Sequence, residues 1–422
     1  MDQMYIVLAV LVFMMVMFVW HKVPFGLTTM TCCIILVLTG VIDLKQAFTG
    51  FGNQIVVLVA PMMALGNVLG RTSMVGKIRN VMEHAKGKNG TMLVMLMFFF
   101  TVLLTQFIPS TATMAIMVIF AAQIGTVGNV TPTRLILPML GVSSAFKGRF
   151  PIGSGATKFA SLNALYEGIV TDEAFHLSMF EPFIFSIIPM IIVGGYSIFC
   201  WRLMPKDEGT LSVTDTKIVE NNMTSGQEKI VYFAFLLAMV MMVTNVGGFM
   251  YLGPAIGVAI LVWTGVLKAS EASRLMTTDT IWMMAGVLVV SDALGSSGAS
   301  EAIGDWLLTI IGPGTSSFMI YFILSAVTVI MTNFLSNAAC QTVLVPLAAS
   351  LALAAGWDPR GLILIPGMAN TADIALPSGS GEAAVTYAAG GYNPAKVLRY
   401  TLPYIVLSII GYAVSAQILY PL

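Results

Sequence analysis

The sequence predicts an all-α polytopic membrane protein built from two repeats of inverted topology, and three observations predict it. Of the 422 residues, 57% are hydrophobic and only 9% are charged, with a mean hydropathy of +0.90. A soluble domain of that length cannot carry so little charge. The chain also repeats itself at a constant offset: Pro151-Ile-Gly-Ser-Gly-Ala returns as Pro377-Ser-Gly-Ser-Gly-Glu, and Tyr166 recurs as Tyr392. Leu135-Ile-Leu-Pro and Leu362-Ile-Leu-Ile-Pro stand before the two copies. Finally, the basic residues gather on one face of the topology that this duplication implies.

Each element follows from the apolar pattern. Runs long enough to cross a bilayer lie at Met4–Trp20, Pro24–Ile42 and Gln54–Gly70, and again at Ile230–Val246, Tyr251–Leu267 and Ile281–Leu294. Each half then holds a tract too long for one span and too short for two, Thr91–Gly125 and Ser316–Gly356. Polar residues interrupt their centres, so both read as re-entrant hairpins, hairpin 91–125 and hairpin 316–356. Non-helical backbone at that depth must be buried in protein or line a wet cavity. Spans broken by the P-x-G-S-G loop follow at 134–166 and 361–392, and each half closes with a last span, Phe183–Trp201 or Thr401–Leu419. The halves are thus 1–201 and 230–422, joined by a polar cytoplasmic linker at 202–229.

Five spans and a hairpin per half make the second half enter from the opposite side. Fifteen of the 20 Lys and Arg residues then fall on one face, against Lys45 and Arg360 on the other, with Lys147, Arg149 and Lys158 in the first broken span. The positive-inside rule makes the richer face cytoplasmic and both termini external, in a plasma membrane such as the bacterial inner membrane. Met1-Asp2-Gln3 lacks the basic start of a signal peptide, so the first apolar run reads as a retained span. Cys32, Cys33, Cys200 and Cys340 sit in or beside apolar runs and read as packing residues, and three histidines in short loops make a histidine metal site a poor fit.

A duplicated membrane chain with Gly- and Pro-broken segments at matching places has the pattern of a secondary transporter, whose broken segments mark the substrate site. At the hairpin tips, Thr105, Gln106, Ser110, Thr111 and Thr113 face Thr332, Asn333, Ser336, Asn337 and Gln341. Hydroxyls, amides and freed carbonyls at a helix break can replace the water shell of a small cation, while the helix N-termini just beyond suit a carboxylate. Any single hydroxyl there reads more readily as a bond to neighbouring backbone; the duplicated cluster favours a site. Gly153, Ser154 and Gly155, with Ser378, Gly379 and Gly381, let the backbone approach a ligand closely. Ionisable residues at membrane depth cost roughly 2.5–3.5 kcal/mol each unless partnered. Those in the first half are Lys147, Arg149 and Lys158; those in the second are Asp292, Asp373 and Glu382. Lys147 and Asp373 hold equivalent repeat positions and read as partners. Arg149 and Lys158 could instead snorkel to the surface, and Asp292 could cap or pair near a helix end.

These residues resemble the divalent anion:sodium symporter family (the SLC13-type di- and tricarboxylate transporters) of the ion-transporter superfamily, over nearly the whole chain. Ala47-Phe-Thr-Gly-Phe-Gly-Asn53 and Thr280-Ile-Trp-Met-Met-Ala-Gly286 with Leu294-Gly-Ser-Ser-Gly298 are similar to its approaches to the two hairpins. Pro109-Ser110-Thr111 and Ser336-Asn337-Ala338 match its Ser-Asn-Thr tips, and Gly148–Thr157 and Asp373–Ala384 its post-hairpin loops. The resemblance implies that each tip and its loop form a sodium site, that the two tips hold substrate carboxylates between them, and that the core moves elevator-like against a scaffold that forms a homodimer. Carried onto this chain, substrate contacts fall to Ser110, Thr111, Ser336, Asn337, Gly153, Ser154, Ser378 and Gly379. Sodium falls to Thr332, Ser336, Asn337 and Gly379. The first sodium site, Thr105 and Ser110, is weakened, because Pro109 stands where a hydroxyl is expected. Lys147, with Arg149 nearby, is expected to stand in for that ion, and Asp292, Asp373 and Glu382 to complete a charge relay.

The expected function is secondary active transport of small organic anions, C4-dicarboxylates first, driven by sodium or by exchange. The partners are then the small anion, membrane lipid and a second copy of the chain, with no nucleic acid and no organic cofactor. A cation/proton antiporter or inorganic-anion permease of the same superfamily is the alternative. No HExxH, GxSxG or nucleotide-loop motif supports a membrane enzyme, and inverted repeats with hairpins suit alternating access better than a channel.

Overall fold

The computed structural model describes residues 3–20, 22–73, 90–124, 131–205, 223–244, 249, 251–311, 314–377 and 379–422. Lys77, Arg79, Lys86, Lys88, Lys206, Lys217, Ser378 and residues 206–222 of the expected linker lie outside them. The described residues are helical, without a strand. In chain order the first part holds α1 (Gln3–Trp20), α2 (Phe25–Leu38), α3 (Gln54–Leu69), α4 (Gly90–Phe107), α5 (Ser110–Ile124), α6 (Pro132–Phe146), α7 (Ser154–Tyr166) and α8 (Glu181–Phe199). The second part holds α9 (Ser225–Thr244), α10 (Gly253–Trp263), α11 (Ala269–Met276), α12 (Asp279–Ser296), α13 (Ala299–Ile311), α14 (Ser317–Phe334), α15 (Asn337–Ala355), α16 (Pro359–Ala369), α17 (Gly381–Gly390) and α18 (Pro394–Leu419).

Local chemistry sets the ends of these helices. Ser316, Ser336, Ser380 and Asn393 each accept a backbone N–H of the turn they start. Pro132, Pro359 and Pro394 occupy first-turn positions, where no N–H is missed. Gly356 closes α15 in the left-handed conformation, at φ 69°. The breaks anticipated in the two tracts fall at Ile108-Pro109 and Leu335-Ser336, and those in the following spans at 147–153 and 370–380. Two short helices, α11 and α13, are additions that hydropathy does not reveal, because both are amphipathic rather than apolar.

Among the described residues, α8, Ser225–Met242 of α9, α14, α15 and α18 are long and apolar enough to cross a membrane. The arms of the second tract differ from expectation here: α14 and α15 have 18 and 19 residues, each sufficient for a crossing. Their surroundings separate them. Within the protein, 72% of α15 is buried against 39–44% of the other four, so α15 is an interior helix. The deepest elements are α6, buried from Thr133 to Ala145, and α16, buried from Gly361 to Ala369. Around α6 pack α4, α5 and α17; around α16 pack α14, α15 and α18. The halves interlock, because α17 lies on α5 and α7 lies on α15.

Outside this core, α12 runs against α2. Contact is close enough that a Cβ on Gly26 would stand 2.5 Å from that of Trp282, and the turn 46–52 packs on the same helix, a Cβ on Gly50 standing 1.9 Å from the Ala285 carbonyl oxygen. Asp279 accepts the N–H groups of Phe25 at 3.1 Å and Gly26 at 2.9 Å, placing a carboxylate on the positive end of α2. At one end of the molecule Arg71 pairs with Glu271 at 2.7 Å, and Ser73 donates both its N–H and its hydroxyl to Glu228 at 2.6 Å. At another, Arg360 pairs with Asp358 at 2.7 Å and Glu181 at 3.2 Å, and the bonds to Asp358 hold its guanidinium above its ordinary pKa. The Ser317 hydroxyl donates to the Leu422 carbonyl, and Tyr321 to Tyr420. Asp279→Ala should lower stability by about 1–2 kcal/mol through the lost N–H acceptors, seen as a lower midpoint of thermal unfolding in detergent, whereas Glu271→Gln, at a solvated pair, should cost less than about 1 kcal/mol.

Candidate functional site

The two breaks in the hairpin tracts and the two loops of the broken spans meet in the middle of the core. Gly153, at φ 54°, lies so close to the first tip that a Cβ would stand 1.9 Å from the Gln106 carbonyl oxygen. At the second tip a Cβ on Gly379 would stand 2.8 Å from the Thr332 carbonyl oxygen. Side-chain amides reach back in the same way. Gln106 Nε2 donates to the Phe146 carbonyl at 3.2 Å, and Asn333 Nδ2 to the Ala372 carbonyl at 3.0 Å. Ser154 Oγ donates to the Thr105 carbonyl at 2.9 Å. The Thr105 hydroxyl is turned onto its own helix, towards the Thr101 and Val102 carbonyls; only its carbonyl serves the junction.

At the first tip Thr111 is exposed and Ser110 half-buried; a Cβ on Gly381 would come within 3.1 Å of the Thr111 hydroxyl. At the second tip Ser336 caps α15 through Ala339 N–H at 3.2 Å. Asn337 Oδ1 accepts from the Thr332 hydroxyl at 2.9 Å, and the Asn337 carbonyl accepts from Asn370 Nδ2 at 2.9 Å. The Asn337 amide N–H groups make no hydrogen bond among the described residues. The tips therefore offer hydroxyls, an amide donor and several carbonyls on half-buried surface.

The charges are arranged differently from the sequence expectation. Lys147 pairs with Glu382, the second residue of α17, rather than with Asp373. Asp373 faces the end of α6 instead, where it accepts from the Ser144 hydroxyl at 3.4 Å; α17, not the loop before it, lies across Lys147. Asp373 Oδ2, Glu382 Oε2 and Gln106 Oε1 are buried without a hydrogen-bond partner among the described residues. Arg149 does not snorkel. It is 1% exposed and donates to the Met368 carbonyl at 2.7 Å, Thr371 Oγ1 at 2.6 Å, Tyr412 Oη at 2.6 Å and the Ala145 carbonyl at 3.3 Å. Nor does Lys158, whose Nζ donates to Gln341 Oε1 and Asn370 Oδ1, each at 2.8 Å. Asn370, Thr371 and Tyr412 are functional neighbours that the sequence reading passes over. The signal for the first two was a polar pair ending the apolar stretch of α16.

Asp292 stands apart from this group. It lines a separate cavity of about 900 Å³ with Glu167, Glu301, Asp305, Ser296 and Ser350, where burial pushes the Glu167 carboxyl up from its ordinary pKa. A smaller cavity of about 20 Å³, room for one water, lies beside Ser161, Gln341, Ala338 and Thr342.

A family model described as Citrate transporter (CitMHS) matches residues 15–367 of this chain. The chain belongs to the CitMHS family. It is accordingly a secondary transporter of the ion-transporter superfamily, the superfamily to which the sequence resemblance pointed. Its relatives include transporters: an uncharacterized transporter of Haemophilus influenzae is 22% identical over 417 residues, covering 93% of this chain and 87% of the relative. An uncharacterized transporter of Methanocaldococcus jannaschii is 26% identical over 142 residues, covering 33% of this chain and 32% of the relative. In fold, this CitMHS protein is similar to the YdaH transporter of Alcanivorax borkumensis (TM-score 0.62, 12% identity, covering 96% of this chain and 97% of that one). It is also similar to MtrF of Neisseria gonorrhoeae, from a class of antimetabolite efflux pumps (TM-score 0.58, 14% identity, covering 92% and 84%).

The close approach at Gly153 gives a direct test of the junction. Gly153→Ala should sharply reduce the yield of monodisperse protein, since the new Cβ meets backbone in a left-handed conformation. Gly52→Ala, with nothing within 4 Å, should leave it unchanged on the same size-exclusion column.

Proposed function

We propose that this chain is a secondary active transporter of small multivalent organic anions, carboxylates such as succinate and citrate, bound where the two hairpin tips meet the two broken-span loops. The observation that supports this reading most is the matched pair of contacts, Gly153 on Gln106 and Gly379 on Thr332. It fits two inverted repeats, 1–201 and 230–422, whose broken elements share one central site. Helix N-termini at Ser110 and Asn337, the exposed Thr111 hydroxyl and the Asn337 amide then face the anion, with Gly153, Ser154 and Gly379 supplying the close backbone. In this reading both termini are external. The cluster of Arg71, Glu228 and Glu271 then lies on the cytoplasmic side, and that of Arg360, Glu181 and Leu422 on the external side. The core would slide elevator-like within a homodimeric scaffold.

For the coupling ion, the second tip offers oxygens for sodium from Thr332, Ser336, Asn337 and the backbone at Gly379. At the first tip the Lys147 ammonium takes the place of an ion, with Glu382 as its counter-charge. A second reading, proton coupling, is favoured by one observation: Asp373 and Glu382 are 0% and 1% exposed and each keeps an unbonded oxygen. Those unbonded oxygens are where a coupled proton would be carried.

Uptake of labelled succinate and citrate into proteoliposomes tests both readings. Saturable uptake driven by an inward sodium gradient, with a Hill coefficient of about one, is the expected outcome; uptake driven by a pH gradient without sodium selects the proton reading. Absence of uptake of either anion under both gradients overturns the proposal. Asn337→Ala should weaken anion affinity by about ten- to a hundred-fold, the worth of one hydrogen bond to a charged group. A cysteine at Leu422 should react with impermeant reagents from outside the cell; protection there would overturn the inverted arrangement.

A further inference from the structure

Beyond the tip residues, the buried core carries a charge imbalance. Half-buried Lys147 and Lys158 and buried Arg149 stand with buried Asp373 and Glu382, so with all five ionised the site is one positive charge in excess. Membrane-buried charge without a counter-charge is costly. Each cation has a different standing. Lys147 has Glu382. Arg149 is sealed at 1% exposure among a thioether, carbonyls and hydroxyls, so no ligand reaches it. Lys158 is half-buried, and neither of its contacts is charged.

Lys158 is also held in place. Its two acceptors are themselves joined, Asn370 Nδ2 donating to Gln341 Oε1 at 3.1 Å, and the same Asn370 amide bonds the Asn337 carbonyl at the second tip. The stem packs over Gly148, where a Cβ would stand 3.3 Å from that of Lys158. An ammonium has three N–H donors; two go to neutral carbonyl oxygens, and the third has no partner among the described residues. The group is thus fixed by neutral partners beside the tip where a carboxylate would sit, with its charge unspent.

Resting on the transport reading above, we propose that Lys158 is a direct substrate-binding residue, its ammonium anchoring one carboxylate of the anion, and that Gln341 and Asn370 orient it for that contact. One bound carboxylate cancels the excess positive charge, and the second carboxylate of succinate is matched by the sodium proposed at the second tip, so the succinate-loaded core is neutral when it crosses the low-dielectric layer. This accounts for why acids do not partner Lys158 directly: a resident carboxylate there would take the ligand's place.

Two variants test this by binding of labelled citrate and succinate to purified protein in nanodiscs. Lys158→Met removes the charge, and Gln341→Glu keeps the shape and both accepted hydrogen bonds but sets a resident carboxylate on Lys158. Each should weaken binding of the better of the two anions by about ten- to a hundred-fold, with elution volume and unfolding midpoint close to wild type. Lys158→Arg, which keeps the charge, should lose less than Lys158→Met. Should Lys158→Met fail to fold, Gln341→Glu still decides. Wild-type affinity in Gln341→Glu, or in a folded Lys158→Met, overturns the role of Lys158 and leaves the transport reading standing. Failure of wild-type protein to bind either anion overturns both.

Discussion

A helix that stops inside a packed protein core leaves carbonyls and N–H groups that water cannot reach, and this chain stops helices in its core at two tips and two loops. Nearly every polar side chain near the centre answers that constraint. Gln106 reaches Phe146, Ser154 reaches Thr105, and Asn333 serves both the Ala372 carbonyl and the Ala375 N–H. Tyr387 bonds the Ile374 and Ala375 carbonyls from α17. Because each break is satisfied by side chains or backbone of another segment, the broken pieces hold one another, and the polar groups left over are what a ligand finds.

The breaks were legible in the sequence because polar residues interrupt the two tracts, and Pro and Gly interrupt the following apolar runs at the same offset, and no packing detail is needed to see that. Gly153 and Gly379 were legible for the same reason. Partner choice was not. Lys147 was expected opposite Asp373 by repeat equivalence, but equivalence relates positions about an axis and says nothing of which element crosses there; α17 does, and it carries Glu382. Arg149 and Lys158 could be read as surface-seeking only because their acceptors, Met368, Thr371, Tyr412, Gln341 and Asn370, come from the other half of the chain. The interior place of α15 was hidden for a related reason. Apolarity cannot tell a lipid-facing helix from one buried in protein, and α15 is the latter.

Arg149 shows how the core tolerates a charge without an acid. Each of its bonds to a neutral acceptor contributes roughly 1.5–3 kcal/mol, and together they offset desolvation that an isolated guanidinium could not survive. The same bonds tie the first loop to α16 and α18, so the residue acts as a cross-half fastener.

The backbone contact at Gly153 has a mechanical consequence. Where two main chains touch with no side chain between them, neither can roll or slide past the other without carbonyl oxygens colliding or losing their donors. Parting the first tip from its loop would break the bonds that Gln106 and Ser154 make to the Phe146 and Thr105 carbonyls, roughly 0.5–1.5 kcal/mol each. The tip and loop are therefore geared together: a force applied to either is passed to the other undiminished, and whatever yields during a transport cycle must lie where helices meet through side chains.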